Sequence, residues 1–62
     1  MKCIINGKSN NIRFEGTVQE LLSKLGISEQ IVIVKVNGKI VTELDKVSNQ
    51  DNVEIQKVIL GG

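Results

Sequence analysis

The residues of this chain with the clearest potential for chemistry are the last two, Gly61 and Gly62. Glycine has no side chain to pack and loses more backbone entropy on folding than any other residue, so a terminal glycine pair is a poor structural element. The same pair is a thin, flexible handle that ends in a carboxylate. Such a handle suits a reaction inside the narrow active site of another protein. We therefore expect Gly62 to carry the reacting group and Gly61 to give access to it.

The segment that presents this handle comprises Val58, Ile59, Leu60 and the two glycines. When fully extended, five residues reach about 17 Å at most, which is enough to enter a buried site. We expect residues 1–57 to form one folded domain and residues 58–62 to form a flexible tail. A chain of 62 residues has little room for an enclosed cavity of its own.

The remaining inventory argues against an independent enzyme. Histidine is absent and Cys3 is the only cysteine. Ser–His pairs, Cys–His pairs and the usual Cys/His zinc sites are therefore excluded. The chain also lacks a P-loop and a G-x-G-x-x-G motif, so we expect it to bind no nucleotide and no cofactor. The alternating pattern that begins the chain directs Cys3 inward, where we expect it to act as a small apolar residue.

Charge and hydropathy exclude two further classes of partner. Lysine and arginine number 8 against 7 acidic residues, the basic residues are scattered, and Phe14 is the only aromatic residue. A nucleic-acid site would need a basic patch or aromatic stacking platforms. The longest aliphatic run, 31–34, is far too short to span a bilayer. Because no signal-peptide pattern follows Met1, we expect a cytoplasmic protein.

One helix is predicted with both of its ends. Thr17 and Glu20 have the spacing of a capping box, and Gly26 stands where a left-handed C-cap belongs. Between these ends, apolar residues at helical spacing form one stripe. Those residues are Val18, Leu21, Leu22 and Leu25.

Alternating apolar residues and Asn-Gly turns predict the strands. The first hairpin turns at Asn6-Gly7 and the second at Asn37-Gly38. In the polar segment 42–52 we expect Leu44 and Val47 to reach the core. The predicted strands are 1–6, 10–14, 31–36, 39–41 and 52–58.

These elements predict an α+β protein with two layers around one core. If the last strand pairs with the first in the centre of the sheet, the helix lies across one face of a mixed sheet of four to five strands. That arrangement is the ubiquitin-like β-grasp fold.

Four segments in this order resemble the ubiquitin-like sulfur carriers, closest to the thiamine-type carriers of the ThiS/MoaD family. The helix start T-V-x-E-L-L at 17–22 and the hairpin V-N-G-x-x-V at 36–41 match the family. The strand entry 51–55 matches with Asn52 where glycine is usual, and the tail 58–62 matches V-x-x-G-G. Thr42 replaces a proline that is frequent in thiamine carriers.

The resemblance implies a mechanism and a set of partners. An adenylating enzyme related to ubiquitin-activating enzymes uses ATP to activate the Gly62 carboxylate. A sulfur donor, such as a cysteine desulfurase or a rhodanese-like protein, then supplies a persulfide. The resulting thiocarboxylate delivers sulfur to an acceptor synthase, such as thiazole synthase.

The resemblance leaves two alternatives open. Gln56-Lys57 stands where molybdopterin synthase small subunits usually have prolines or aromatic residues, which favours the thiamine type. Archaeal ubiquitin-like modifiers, which form isopeptide bonds with lysines, share the fold and the Gly-Gly end.

We also expect a docking surface for the adenylating enzyme. Side chains alternate between the two faces of a strand, and this alternation, or parity, directs Ile4, Ile31 and Ile33 to the sheet face opposite the helix. An exposed cluster of this kind is typical of a surface that a partner buries.

Overall fold

The computed structural model of the chain describes residues 1–27 and 32–58. The predictions that concern Ile31 and residues 59–62 lie outside these ranges.

The first two strands form the predicted hairpin with a tighter turn than expected. Strand β1 covers Lys2–Ile5 and strand β2 covers Lys8–Asn11, and Ile5 pairs directly with Lys8. We predicted the second strand at 10–14, and that position is wrong. A two-residue Asn-Gly turn starts the return strand at once. Beyond β2, the Ile12 N–H donates a hydrogen bond to the Met1 carbonyl (3.0 Å).

The helix forms as predicted between its two caps. Strand β3 (Gly16–Thr17) leads into helix α1 (Val18–Leu25). The Thr17 hydroxyl accepts a hydrogen bond from Glu20 N–H (3.2 Å), and the Glu20 carboxylate accepts one from Thr17 N–H (2.9 Å). Gly26 ends the helix in the left-handed conformation, with φ of 72°. Both caps satisfy main-chain groups that the helix leaves without internal partners.

The second half of the chain completes the sheet. Its strands are β4 (Val32–Val36), β5 (Lys39–Ile40), β6 (Lys46–Val47) and β7 (Asn52–Lys57). Over the described residues, the main sheet has the order β2-β1-β7-β4-β5, while β3 and β6 form a separate two-stranded ladder. Strand β7 runs parallel to β1 and antiparallel to β4. The last strand therefore lies in the centre, as the β-grasp prediction requires.

The core lies between α1 and one face of the sheet. The parity predicted for β4 and β7 is confirmed, because Val34 and Ile55 are buried and Ile33 is 40% exposed. Cys3 is fully buried, as expected. Within the described residues the buried apolar set is Cys3, Val18, Leu21, Leu22, Val34, Val47, Val53 and Ile55.

Leu44 does not reach this core, although Val47 does. The Leu44 side chain is 74% exposed, so its predicted burial is wrong. The loop around it contacts the helix through its main chain instead. The carbonyls of Glu43 and Asp45 accept hydrogen bonds from Gln19 N–H (2.9 Å) and Val18 N–H (2.8 Å). The loop is held against the first turn of α1 without any need for Leu44 to be inserted.

The hydropathy of the described part of the chain adds one observation. Neither 1–27 nor 32–58 contains a helix long and apolar enough to cross a bilayer.

Candidate functional site

The proposed tail begins at the end of the central strand. Val58 follows β7 directly and is half-buried. It is the only predicted tail residue within the described ranges, since Ile59, Leu60, Gly61 and Gly62 lie outside them. The structure therefore describes the point from which the proposed tail would start.

Strand β4 and the first Asn-Gly turn flank this point. Lys57, the last residue of β7, is in register with Val32 at the start of β4. On the other side, the Lys57 N–H donates a hydrogen bond to Asn6 Oδ1 (2.8 Å), and the Asn6 N–H donates one to the Ile55 carbonyl (2.9 Å). The first Asn-Gly turn thus contacts the main chain immediately before the proposed tail.

The sheet face opposite α1 mixes apolar and charged side chains. Ile4 is half-buried and is in register with Glu54, while Ile33 pairs with Gln56. Because β7 lies between β1 and β4, its polar residues separate the two isoleucines. The face therefore presents Ile4 and Ile33 as two apolar positions on either side of a polar strand. Ile31 lies outside the described residues.

The same face carries an apolar residue that sequence reasoning missed. Ile40 pairs with Lys35 and is 72% exposed. The sequence does contain a signal for the outward direction of Ile40. The two-residue turn at Asn37-Gly38 pairs Val36 with Lys39, and it therefore pairs Ile40 with Lys35. A residue opposite an outward lysine must also point outward.

The titratable groups with shifted pKa values have structural explanations. Hydrogen bonds from the Thr17 N–H and hydroxyl hold the pKa of Glu20 below its ordinary value. The Asn37 side chain and the Ser48 N–H lower the pKa of Asp51 in the same way. Burial raises the pKa of the Cys3 thiol, which disfavours the reactive thiolate. Residues 1–27 and 32–58 contain no group of three or more potential metal ligands of the His, Cys, Asp and Glu types.

Similarity to known proteins identifies the family. The sequence model that describes the ThiS family matches residues 3–62, which is nearly the whole chain. The chain belongs to the ThiS family.

A solved member of this family has the same fold. The thiamine biosynthesis protein ThiS from Geobacter metallireducens, whose crystal structure is known, is 29% identical in sequence to this chain. The match covers 100% of this chain and 99% of that one, with a TM-score of 0.67. It confirms the β-grasp fold, with its mixed sheet and its helix across one face. Membership of the ThiS family places the chain among the sulfur carriers.

Proposed function

We propose that this chain carries sulfur as a thiocarboxylate on Gly62 and donates it to biosynthesis of the thiamine thiazole. The ThiS-family match carries this proposal, because it extends through the tail to Gly62. The similarity to a thiamine biosynthesis protein supports the thiamine branch over a molybdopterin branch.

The chemistry starts from an unreactive carboxylate. Attack of the Gly62 carboxylate on the α-phosphorus of ATP gives an acyl adenylate and releases pyrophosphate. The terminal sulfur of a persulfide then attacks the acyl carbon, and AMP leaves. A second thiol reduces the resulting acyl disulfide, which yields the thiocarboxylate and a disulfide. Activation is needed because an oxygen of a free carboxylate is a poor leaving group, whereas AMP is a good one.

We assign all of this catalysis to partner proteins. In this proposal the chain is a substrate, not an enzyme, and ATP belongs to the adenylating enzyme. A cysteine desulfurase or a rhodanese-like protein supplies the persulfide, and thiazole synthase accepts the sulfur. The contribution of the chain is to deliver Gly62 through the narrow segment formed by Val58, Ile59, Leu60 and Gly61.

We also propose that the sheet face opposite α1, which we call the open face, contacts the adenylating enzyme. Ile4, Ile31 and Ile33 are the apolar positions proposed for this contact. The 40% exposure of Ile33 supports the assignment, because a large apolar side chain on the surface is available to a partner.

Intact-mass spectrometry of the chain after incubation with its adenylating enzyme, ATP and a persulfide donor tests the proposal. We expect the mass to increase by the difference between one sulfur and one oxygen atom. Omission of ATP should prevent the increase. Conjugates of higher mass, linked through lysines, would instead identify a protein modifier. An unchanged mass in the complete mixture would refute the carrier function.

A further inference from the structure

The two Asn-Gly turns hold the two ends of the central strand. Asn6 and Asn37 both adopt a positive φ, of 48° and 53°. Each also accepts, through its side-chain oxygen, a hydrogen bond from a main-chain N–H of β7. Asn6 accepts from Lys57 at the end of β7 that leads to the tail, and Asn37 accepts from Asn52 at the opposite end (3.0 Å).

The Asn6 side chain replaces a main-chain group of the ladder. In a continued parallel ladder, a residue that donates its N–H to residue 55 would accept from residue 57 through its own carbonyl. The chain turns left-handed at Asn6, and the side-chain amide oxygen accepts that hydrogen bond instead, at 2.8 Å. Asparagine suits the position because it tolerates positive φ and carries a carbonyl on a short side chain.

The opposite end of β7 shows the same substitution in an antiparallel ladder. Asn37 N–H donates to the Asn52 carbonyl (2.8 Å), and the Asn37 side-chain oxygen accepts from Asn52 N–H. In a regular antiparallel pair, the main-chain carbonyl would make the second bond. Asn37 therefore provides a matched comparison for Asn6, because it makes the same contact with the same strand from the same kind of turn. It makes this contact at the end of β7 opposite Lys57 and Val58, which we call the root of the tail.

We propose that Asn6 is a positioning residue for the C-terminal tail. The inference rests on the proposed function, because it concerns delivery of Gly62 to the adenylating enzyme. Lys57 directly precedes Val58, so a fixed Lys57 N–H fixes the direction in which the chain leaves the sheet. A root that samples fewer directions presents the carboxylate in a productive orientation more often.

Three variants separate this role from a general contribution to stability. Asn6→Gly removes the acceptor and keeps the tolerance for positive φ. Asn6→Asp keeps both an acceptor and that tolerance, so it should rescue the contact. Asn37→Gly makes the same change at the far end of β7. It is a stringent control because Asn37 also donates to Asp51 Oδ1 (3.0 Å), and that bond is lost as well.

Two measurements are made on the full chain. Amide hydrogen exchange, followed by NMR, reports on Lys57 and Asn52. Pyrophosphate exchange with the cognate adenylating enzyme, at varied concentrations of the chain, gives kcat and KM. In Asn6→Gly we expect Lys57 protection to fall about fivefold relative to Asn37→Gly, the factor typical of one hydrogen bond. We expect kcat/KM to fall by a similar factor, mainly through KM, and Asn6→Asp to retain both values.

Each contrary outcome has a distinct meaning. An unprotected Lys57 amide in the unmodified chain overturns the contact, whether or not any variant folds. Equal kcat/KM for the two glycine variants overturns the positioning role and leaves the proposed function intact. An unmodified chain that the enzyme does not adenylate refutes the proposed function, and with it any role of Asn6 in activation.

Discussion

Gly61 is the residue at which an added side chain should interfere most directly with the proposed reaction. We predict that Gly61→Val lowers the rate of adenylation at least tenfold and leaves the thermal midpoint of unfolding unchanged. Valine is stiff about its first side-chain torsion and adds width where we propose that the tail enters a narrow site. Pyrophosphate exchange and a thermal melt test this pair of effects. Gly61→Ala adds a single methyl group and should give an intermediate rate. Adenylation of the valine variant at the normal rate would contradict the steric argument.

Asp51 should make the stability of the fold dependent on pH. Its carboxylate accepts hydrogen bonds from Asn37 Nδ2 (3.0 Å) and Ser48 N–H (2.8 Å), which lower its pKa. Its folded-state pKa therefore lies below its ordinary value of 3.8. The stabilisation is complete above that value and is lost as the pH falls through the folded-state pKa.

We predict that the urea midpoint falls on acidification below pH 3.8, the ordinary pKa of Asp51. Asp51→Asn should lower the midpoint at neutral pH and weaken its dependence on acid. Glu20, whose pKa is lowered by Thr17, contributes in the same direction, so some acid dependence should persist in that variant. Urea titrations of both chains at neutral and acidic pH provide the test. An identical dependence in Asp51→Asn and the unmodified chain would show that Asp51 contributes nothing.

At the scale of elements, strand β4 presents neighbouring residues to two different environments. Ile33 is 40% exposed on the open face, while Val34 is 5% exposed in the core. We predict that Ile33→Asp weakens binding to the adenylating enzyme by about 2 kcal/mol, as for an interface anchor. It should change the unfolding free energy by only about 0.5 kcal/mol. Val34→Asp should unfold the domain, because an unpaired buried charge costs several kcal/mol.

Leu44 offers a matched control for this comparison. It is a large apolar side chain, 74% exposed, in the loop that contacts the start of α1. Leu44→Asp should alter neither partner binding nor the thermal midpoint. Partner titrations and melts of all three variants decide the matter. Equal loss of binding in Ile33→Asp and Leu44→Asp would remove the docking role of the open face.

The elements also show which features a sequence can predict. Thr17 and Gly26 were identified as helix caps because capping depends on residues three or four positions apart. The parity of β4 followed from Lys35 alone. The exposure of Leu44 depends instead on how the main chain of its loop contacts the helix, and no local sequence pattern predicts that contact. The contact between Asn6 and Lys57 spans 51 positions, and the sequence indicated only a turn at Asn6.

At the scale of the whole molecule, the fold determines where the proposed tail begins. The sheet holds β7 between β1 and β4, so the root of the proposed tail leaves from a strand that is paired on both sides. The order of the elements left this placement as a condition, and the β-grasp prediction required the last strand to pair with the first in the centre of the sheet. To predict which residues are exposed on the open face, one also needs the residue pairing set by the two Asn-Gly turns.

The distance from this root to the Gly62 carboxylate, the proposed reacting group, gives the last prediction. Deletion of Gly62, or addition of one alanine after it, should lower adenylation about a hundredfold or more. Each residue shifts the carboxylate by about 3.5 Å, and a misplacement of about 1 Å already costs about a hundredfold in rate. Neither change touches the core, so circular dichroism should show an unaltered melt. One alanine added before Met1 is the matched control, and it should leave pyrophosphate exchange unchanged. Undiminished exchange by the chain without Gly62 would show that the carboxylate does not react at a fixed distance from the fold.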